Sequence, residues 1–504
     1  MTRTPGLRAW AALAVLTLAV TLLAIDSTVL ALAIPSLSAD LSPTASQLLW
    51  IGDIYSFTLA GLLVTMGNVA DRIGRRRLLL IGTLGFGTAS IMAAFAPSAG
   101  ALIAARALLG VGGATIMPST LSLIRNIFPD ARHRTTAIAI WSAGSSGGTV
   151  LGPLVGGVLL EHFWWGSVFL INVPVMAAVI VLGLWLLPES KNAQGAPVDL
   201  ASVVLSVLAI VPITYAVKSF AHDGLTVVAI AALVGGLATG WLFIRRQRTL
   251  ATPLIDVELF RRPAFTWAIA TSVLAIFALA GLLYFFSQYL QLVRGYSTLR
   301  AGLTELPASL ASIVVVAVVA VVVRRLGNGR ALGSGLLVAA VGLVVVALGE
   351  SYGGIMVIGI GLLVIGAGIG LASTVSTGAV LGAVPADRAG AASAISETGL
   401  ELGVALGIAV LGTIQDVGYR LLLGPAPSSL PQRVAEAAEQ SLATLAGAID
   451  LSNPGQAELM VQAREAFTCA MQATAVIAAV ILLGAGVMAA RHVPATSETS
   501  EETA

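Results

Sequence analysis

Charge is what this 504-residue chain has least of. Asp, Glu, Lys and Arg make up only 10% of it, against 57% hydrophobic residues and a mean hydropathy of +0.95. Soluble domains carry about 25% charged residues, so no water-exposed globular surface can be assembled from this composition. Cysteine is nearly absent: Cys469 stands alone in the last apolar run, which excludes an intramolecular disulfide and suggests no metal site. Lysine is confined to Lys191 and Lys218, leaving arginine to supply almost all the positive charge. The four histidines, His133, His162, His222 and His492, fall in loops or the tail, with no nucleophile constellation or metal-ligand cluster beside them. An enzyme, a metal centre and a cofactor site are therefore not expected. No loop has the features of a nucleotide- or nucleic-acid-binding site, so no nucleic-acid partner is expected either.

What the chain has in abundance is apolar runs of spanning length, about 20 residues. Fourteen are expected, at roughly 10–34, 47–69, 78–96, 100–123, 135–160, 165–187, 199–219, 225–244, 264–289, 302–323, 331–349, 354–383, 391–415 and 466–490. All should be helices, because lipid offers backbone polar groups no other partner and the runs are too long for barrel strands. The first is too long for a signal peptide and no small-residue cleavage site follows it, so it reads as a retained helix. With the N-terminus inside, 20 of the 27 basic residues fall on the inner side and 6 on the outer, with Arg106 left within the membrane. Inner loops favour Arg and Lys, so both termini are expected in the cytoplasm.

A faint internal repeat is present. Arg324-Arg325-Leu326-Gly327-Asn328-Gly329-Arg330 is a worn copy of the charged loop at 71–77, and Pro385-Ala386-Asp387-Arg388 echoes Pro129-Asp130-Ala131-Arg132 at nearly the same offset. The chain then divides into a six-helix bundle at 1–190, two inserted helices at 191–250, and a second six-helix bundle at 251–504. The 416–465 segment is a long outside loop. Within it, Val434, Ala438, Leu442 and Leu445 have near-helical spacing and fit one surface helix or a lid over the outer mouth.

Three constellations carry mechanism. The first is Gly67-x-x-x-Asp71-Arg72-x-Gly74-Arg75-Arg76-Arg77 between the second and third runs. Its glycines permit a tight turn, Asp71 suits the positive end of a helix, and the arginines suit carbonyls or acids. A plain positive-inside anchor accounts for the arginines but not for Gly67, Asp71 and Gly74, so the loop is expected to gate. The second is Gly144, Gly148, Gly152 and Gly156 at four-residue spacing, with Pro153 and Gly157 beside them. That spacing makes one smooth helix face for close backbone approach. The third is a set of ionisable groups inside the runs: Asp26, Asp53, Arg106, Glu397 and Glu401. Each costs a few kcal/mol or more at mid-bilayer and is a functional candidate by default. A buried structural ion pair with Arg106 explains one acid but not all four. Acids with aromatics such as Tyr55, Phe57, Trp141 and Tyr284, and with Gln288, make a cavity suited to a lipophilic cation.

The charged loop resembles the helix 2–3 loop of the major facilitator superfamily, and Gly148-x-x-x-Gly152-Pro153-x-x-Gly156-Gly157 resembles the antiporter motif of its drug exporters. With Asp26-Ser27-Thr28 and Pro35, Asp53-Ile54-Tyr55-Ser56, Arg106-x-x-x-Gly110 and Ser396-Glu397-Thr398, nearly the whole chain resembles the fourteen-helix drug:proton antiporter family of QacA/LfrA type. The resemblance implies a major facilitator fold: an all-α, multi-pass protein of the bacterial cytoplasmic membrane. It implies export of lipophilic cations, among them quaternary ammonium compounds and dyes, in exchange for protons, by a monomer with no cofactor. One departure is Ser396 before Glu397, where some relatives have two adjacent acids. It bears on how many protons couple, or on divalent cations. An exporter of one endogenous metabolite, lipid or antibiotic remains the alternative; a passive channel fits the buried Arg–acid set poorly.

Overall fold

The computed structural model describes residues 6–190, 199–222, 226–250, 253, 255, 257–351, 354–383, 389–425, 430–450 and 452–494. The side chain of Asp71 is outside that description, and so is the 385–388 half of the expected repeat. Among the described residues the fold is all helical. The first part comprises α1 (Leu7–Leu41), α2 (Ala45–Ile73), α3 (Arg75–Ala94), α4 (Ala99–Ile127), α5 (Ala131–His162), and the short α6 (Ser167–Leu170) leading into α7 (Asn172–Leu186). A hairpin follows, α8 (Leu200–His222) and α9 (Val227–Gln247). The remainder is α10 (Pro263–Gln288), α11 (Thr298–Val314) continued by α12 (Val316–Leu326), α13 (Asn328–Ser351), α14 (Ile355–Gly382), α15 (Ala389–Leu423), α16 (Gln432–Gln440), α17 (Leu442–Ala448) and α18 (Pro454–His492).

Twelve helices among the described residues are long and apolar enough to cross a membrane. Against the fourteen expected spans, the two long helices outside this set are α2, of 29 residues, and α8, of 23. Both carry an apolar run of the sequence, 47–69 for α2 and 199–219 for α8.

Helix pairing repeats along the chain. In the first part α1 packs on α5 and α7, while α3 packs on α4 and α7, and α2 on α4. In the last part α10 packs on α15 and α18, α13 on α14 and α18, and α11 on α14. Buried apolar side chains accordingly gather in two clusters, one drawn mostly from residues before 190 and the other mostly from residues after 255. The repeat extends to the turns. Gly74, between α2 and α3, has φ +114°, and Gly327, between α12 and α13, has φ +76°. Both values lie where a Cβ is disfavoured, so glycine is the residue each reversal needs.

The two sets of helices meet along α2–α15 and α5–α11. Tyr284 Oη donates to Leu48 O at 2.8 Å, Gln291 Nε2 to Leu32 O at 3.1 Å, and Thr298 Oγ1 to Gly157 O at 3.2 Å. All three lie toward the ends of the helices away from the chain termini. A Cβ on Gly302 would come within 2.9 Å of the Pro153 carbonyl carbon, so the α5–α11 seam is a backbone-to-backbone crossing. The α8–α9 hairpin leans on α2 and α15, with Ser206 Oγ donating to Gly61 O at 3.5 Å. Its base is tied by Arg246, whose Nε and Nη2 each donate to an Asp199 oxygen at 2.9 Å. That fork, aided by Ser202, holds the Asp199 carboxyl down at about 2, so the tie stays ionised at any physiological pH.

The 416–465 segment differs from a long loop. Helix α15 runs on to Leu423 and α18 starts at Pro454, which shortens the connection at both ends. In place of one surface helix there are two, because Ser441 takes an extended backbone and its side chain caps α17 by accepting from Thr444 N. Val434, Ala438, Leu442 and Leu445 are buried. A Cβ on Gly447 would lie 2.9 Å from Ala39 Cα, and Thr444 Oγ1 donates to Pro43 O at 3.4 Å, so this unit caps the far end of α1.

The seam makes a prediction. Gly302→Val forces a side chain into the Pro153 carbonyl, an overpacking worth about 1–3 kcal/mol. In a Cys469→Ser, Thr298→Cys background, a membrane-impermeant maleimide should label the cysteine at least about fivefold faster than without the valine, by the tenfold-per-1.4-kcal/mol relation. An unchanged rate would show that this crossing does not hold the seam shut.

Candidate functional site

The buried charge is set up by how α4 meets α2. A Cβ on Gly110 would lie 2.6 Å from Tyr55 O, and one on Gly113 3.0 Å from Tyr55 Oη. Glycine at both positions lets α4 ride directly on α2. This puts the Arg106 guanidinium 5.4 Å from the Tyr55 ring centroid and its Nη2 3.4 Å from Gly52 O. Arg106 is only 2% exposed, and its Nε and Nη1 have no protein hydrogen-bond partner. Asp26, Tyr55, Tyr284 and Asp53 all lie within electrostatic reach of it. Asp26 is fixed from another direction. Asn172 Nδ2, at the start of α7, donates to Asp26 Oδ1 at 2.6 Å and to Ser90 Oγ of α3 at 3.1 Å. One amide thus ties α1, α3 and α7 around a carboxylate that is 1% exposed.

Between the two sets of helices lies a cavity of about 1250 Å³, part of it open to solvent. Its polar lining includes Tyr55 and Ser56 of α2, Arg106 of α4, Tyr284 of α10, Glu305 of α11 and Glu401 of α15, with Ser27, Thr28, Thr149 and Ser309. Glu401 is hydrogen-bonded to Ser56 across the α2–α15 seam. Toward the far face the Tyr284–Leu48 bond closes it. Beyond Tyr284 is a second space of about 410 Å³, lined by Gln288, Asp416, Tyr419 and Phe467 together with Ser441 and Leu442 of the cap.

The structure thus brings Tyr55, Arg106, Tyr284 and Glu401 together at the cavity wall. Asp26 and Asp53 lie buried behind it, outside its lining. Glu397 is half-buried one helical turn from Glu401 and also outside the lining. Phe57 packs on Trp50 with centroids 6.4 Å apart. Trp141 Nε1 donates to Thr120 Oγ1 at 3.2 Å between α5 and α4, and Gln288 belongs to the smaller outer space. Two acids escaped the reading of the sequence. Glu305 lines the cavity, and Glu350, 7% exposed at the end of α13, lies within reach of Arg294. The rule that singles out intramembrane acids applies to both; each stands at the edge of its apolar run, where an acid reads as interfacial.

The glycine-rich face of α5 has two clients. Gly144, Gly148, Gly152 and Gly156 sit against Thr17, Thr21, Thr28 and Val29 of α1, with a Cβ on Gly148 only 2.8 Å from Ala24 Cβ. Pro153 and Gly157 face the other way, and a Cβ on Gly157 would lie 2.7 Å from Leu299 Cα of α11. The same helix therefore presses on the segment carrying Asp26 and on the seam between the halves.

In the charged loop, the first turn of α3 has no side-chain cap of its own. Glu189 and Ser190 supply the missing acceptors: Arg76 N donates to Glu189 Oε1 at 3.2 Å and Arg75 N to Ser190 O at 2.9 Å. Arg76 Nη1 donates to Leu187 O at 3.2 Å, at the negative end of α7. The acid at this helix start is Glu189. Gly67 packs on Pro118 of α4, and Arg72 is exposed.

This all-helical fold with a central cavity between two similarly paired sets of helices is that of a membrane transporter. The model of the Major Facilitator Superfamily matches residues 16–408, and the chain belongs to that family. It is a transporter of the cell membrane and not an enzyme. It is 47% identical over 484 residues to the multidrug efflux pump LfrA of Mycolicibacterium smegmatis, covering 96% of each chain. It is 36% identical over 472 residues to the methyl viologen resistance protein SmvA of Salmonella typhimurium, covering 91% of this chain and 93% of that one. A tetracenomycin C resistance and export protein of Streptomyces glaucescens is 32% identical over 413 residues, 81% of this chain and 76% of that one. Among solved structures, a bacterial homolog of the human lysosomal transporter Spinster, inward-facing and unoccupied, superposes with a TM-score of 0.66 at 18% identity, covering 96% and 98% of the two chains.

A double-mutant cycle tests the Asp26–Asn172 pair. A hydrogen bond to a charged group is worth about 1.5–3 kcal/mol, so Asn172→Ala should lower the melting temperature of the purified protein. The same change in an Asp26→Asn background should cost clearly less, leaving a coupling of roughly 1 kcal/mol or more. Strict additivity would mean that Asn172 does not support Asp26.

Proposed function

We propose that the protein is a proton-coupled antiporter that exports lipophilic cations, such as quaternary ammonium compounds, dyes and cationic drugs, from the cytoplasm by alternating access. The observation that carries this reading is the cavity wall itself. Carboxylates and tyrosines share a mostly apolar cavity with Arg106, and more carboxylates stand behind it. An aromatic cation finds charge and π-faces there. In the mechanism, Asp26, Glu397 and Glu401 are ionised when the cavity holds a cation and protonated when it is empty, with Asp53 and Arg106 setting the local field. Competition between proton and cation for negative charge makes the exchange obligatory. Protonation neutralises the cavity and permits return of the empty carrier.

The chain acts in this reading as a monomer of two six-helix bundles, 1–190 and 251–504, with α8 and α9 as an inserted pair, α2 and α8 completing fourteen spans, and both termini in the cytoplasm. The state described is closed toward the outside by the Tyr284–Leu48 and Gly302–Pro153 contacts. The charged loop at 67–77 acts at the cytoplasmic side, where Glu189 and the α7 carbonyls hold α3 in place. Names among the relatives support drug export: multidrug efflux for one and methyl viologen resistance for another.

A second reading, a dedicated exporter of one endogenous compound, draws on the relative named for tetracenomycin C resistance and export. Transport in proteoliposomes separates the two. With an imposed pH gradient the protein should move ethidium, an uncoupler should abolish movement, and an unrelated cation such as tetraphenylphosphonium should compete. Asp26→Asn should reduce driven transport to the protein-free background. Full driven transport by that variant would remove Asp26 from the coupling, and failure of every cation tried would favour the dedicated exporter.

A further inference from the structure

We propose that Glu305 is a second cation-binding carboxylate of the central cavity, acting with Glu401 to hold the positive centre of an aromatic or quaternary ammonium ligand beside Tyr284. The inference rests on the reading of the cavity as a cation-export site and deepens it by naming the residues that take the charge.

Four observations carry it. Glu305 lines the same cavity as Glu401, Tyr55, Tyr284 and Arg106. Its Oε1 is enclosed, yet it has no protein hydrogen-bond partner, whereas Glu401 is engaged by Ser56. An enclosed carboxylate oxygen without a donor is costly unless something else compensates it, and a ligand cation supplies that compensation. The carboxylate also cannot withdraw easily. One turn before it, Gly302 is jammed against the Pro153 backbone, and Thr298 Oγ1 is bonded to Gly157 O, so this end of α11 is pinned to α5. Finally, the charges on the wall are segregated. The guanidinium is on α4, in the first set of helices, and the two carboxylates are on α11 and α15, in the second. The second set of helices also contributes Ile276, Leu279, Ala308 and Val404 to the wall, with Ser309 and Tyr284. A cation in this space is drawn to the α11–α15 side and kept off Arg106, which fixes its orientation as well as its charge.

The test is equilibrium binding to the purified full-length protein without any proton gradient, using ethidium as the cationic probe and N-phenyl-1-naphthylamine as a neutral aromatic probe. Glu305→Gln should weaken ethidium binding about tenfold or more, ~1.4 kcal/mol, while the neutral probe stays within about twofold of wild type. Glu305→Asp, which keeps the charge, should restore most of the ethidium affinity. Ethidium binding by Glu305→Gln within about twofold of wild type, with Glu401→Gln losing it, would overturn the proposal and leave the cation-export reading standing on one cavity carboxylate. Loss of both probes in Glu305→Gln, or failure of the Asp variant to recover ethidium, would assign Glu305 to the shape of the cavity and overturn its role as a charge partner. A wild-type protein that binds the neutral probe but no ethidium would end the cation-export reading itself.

Discussion

The structure is organised around the cost of holding charge away from water. A charged side chain at mid-membrane costs at least about 2.5–3.5 kcal/mol by insertion scales, and here Arg106, Asp26 and Asp53 are each no more than 2% exposed. That cost is offset by local arrangement. Glycines in α4 bring Tyr55 under the guanidinium, Asn172 reaches across from α7 to Asp26, and Ser56 meets Glu401 from the opposite set of helices. These supports come from several helices at once. Any rearrangement of the bundles therefore changes the environment of the acids, which is what a coupled carrier requires.

Glycine supplies the freedom for such a rearrangement. Helix α5 lies between α1 and α11, with its four-residue glycine row toward α1 and Pro153 and Gly157 toward the seam. Smooth backbone surfaces slide or part with little side-chain interdigitation to undo. Helix α5 thus touches both the α11 side of the seam and the segment of α1 that carries Asp26. The α2–α15 seam is different: it is backed by the α8–α9 hairpin, whose ionised Asp199–Arg246 tie anchors its base. The two seams are thus unequally supported, despite the matching helix pairs on either side.

Much of this was legible in the sequence because the membrane enforces simple rules. Apolar runs gave the helices, the positive-φ glycines at 74 and 327 stand at the centres of the two repeated charged loops, and the glycine row of α5 forms the contact its spacing implied. Of the ionisable candidates, Arg106 and Glu401 reach the cavity wall, with Asp26 and Asp53 behind it. What could not be read depends on tertiary placement. Asn172 is 146 positions from Asp26 and looks like an ordinary helix-start residue. In the 424–453 connection the spacing of Val434, Ala438, Leu442 and Leu445 marked the buried face, but not the extended Ser441 that splits it into two helices. Phe57 and Trp141 have the chemistry of a cation site, but their helix faces point them at Trp50 and Thr120. Glu305 sits close after Arg300 at the edge of its run, and only the three-dimensional crossing of α5 and α11 turns it inward.

The central claim is that protons and cations compete for the same negative charges. The most direct measurement is proton release by the purified protein in weakly buffered solution when ethidium or a quaternary ammonium compound is added. The account predicts cation-dependent release that is saturable, is reduced in an Asp26→Asn, Glu397→Gln double variant and is abolished when Glu305→Gln and Glu401→Gln are added. Saturable cation binding with no proton released at any pH near neutrality would contradict it.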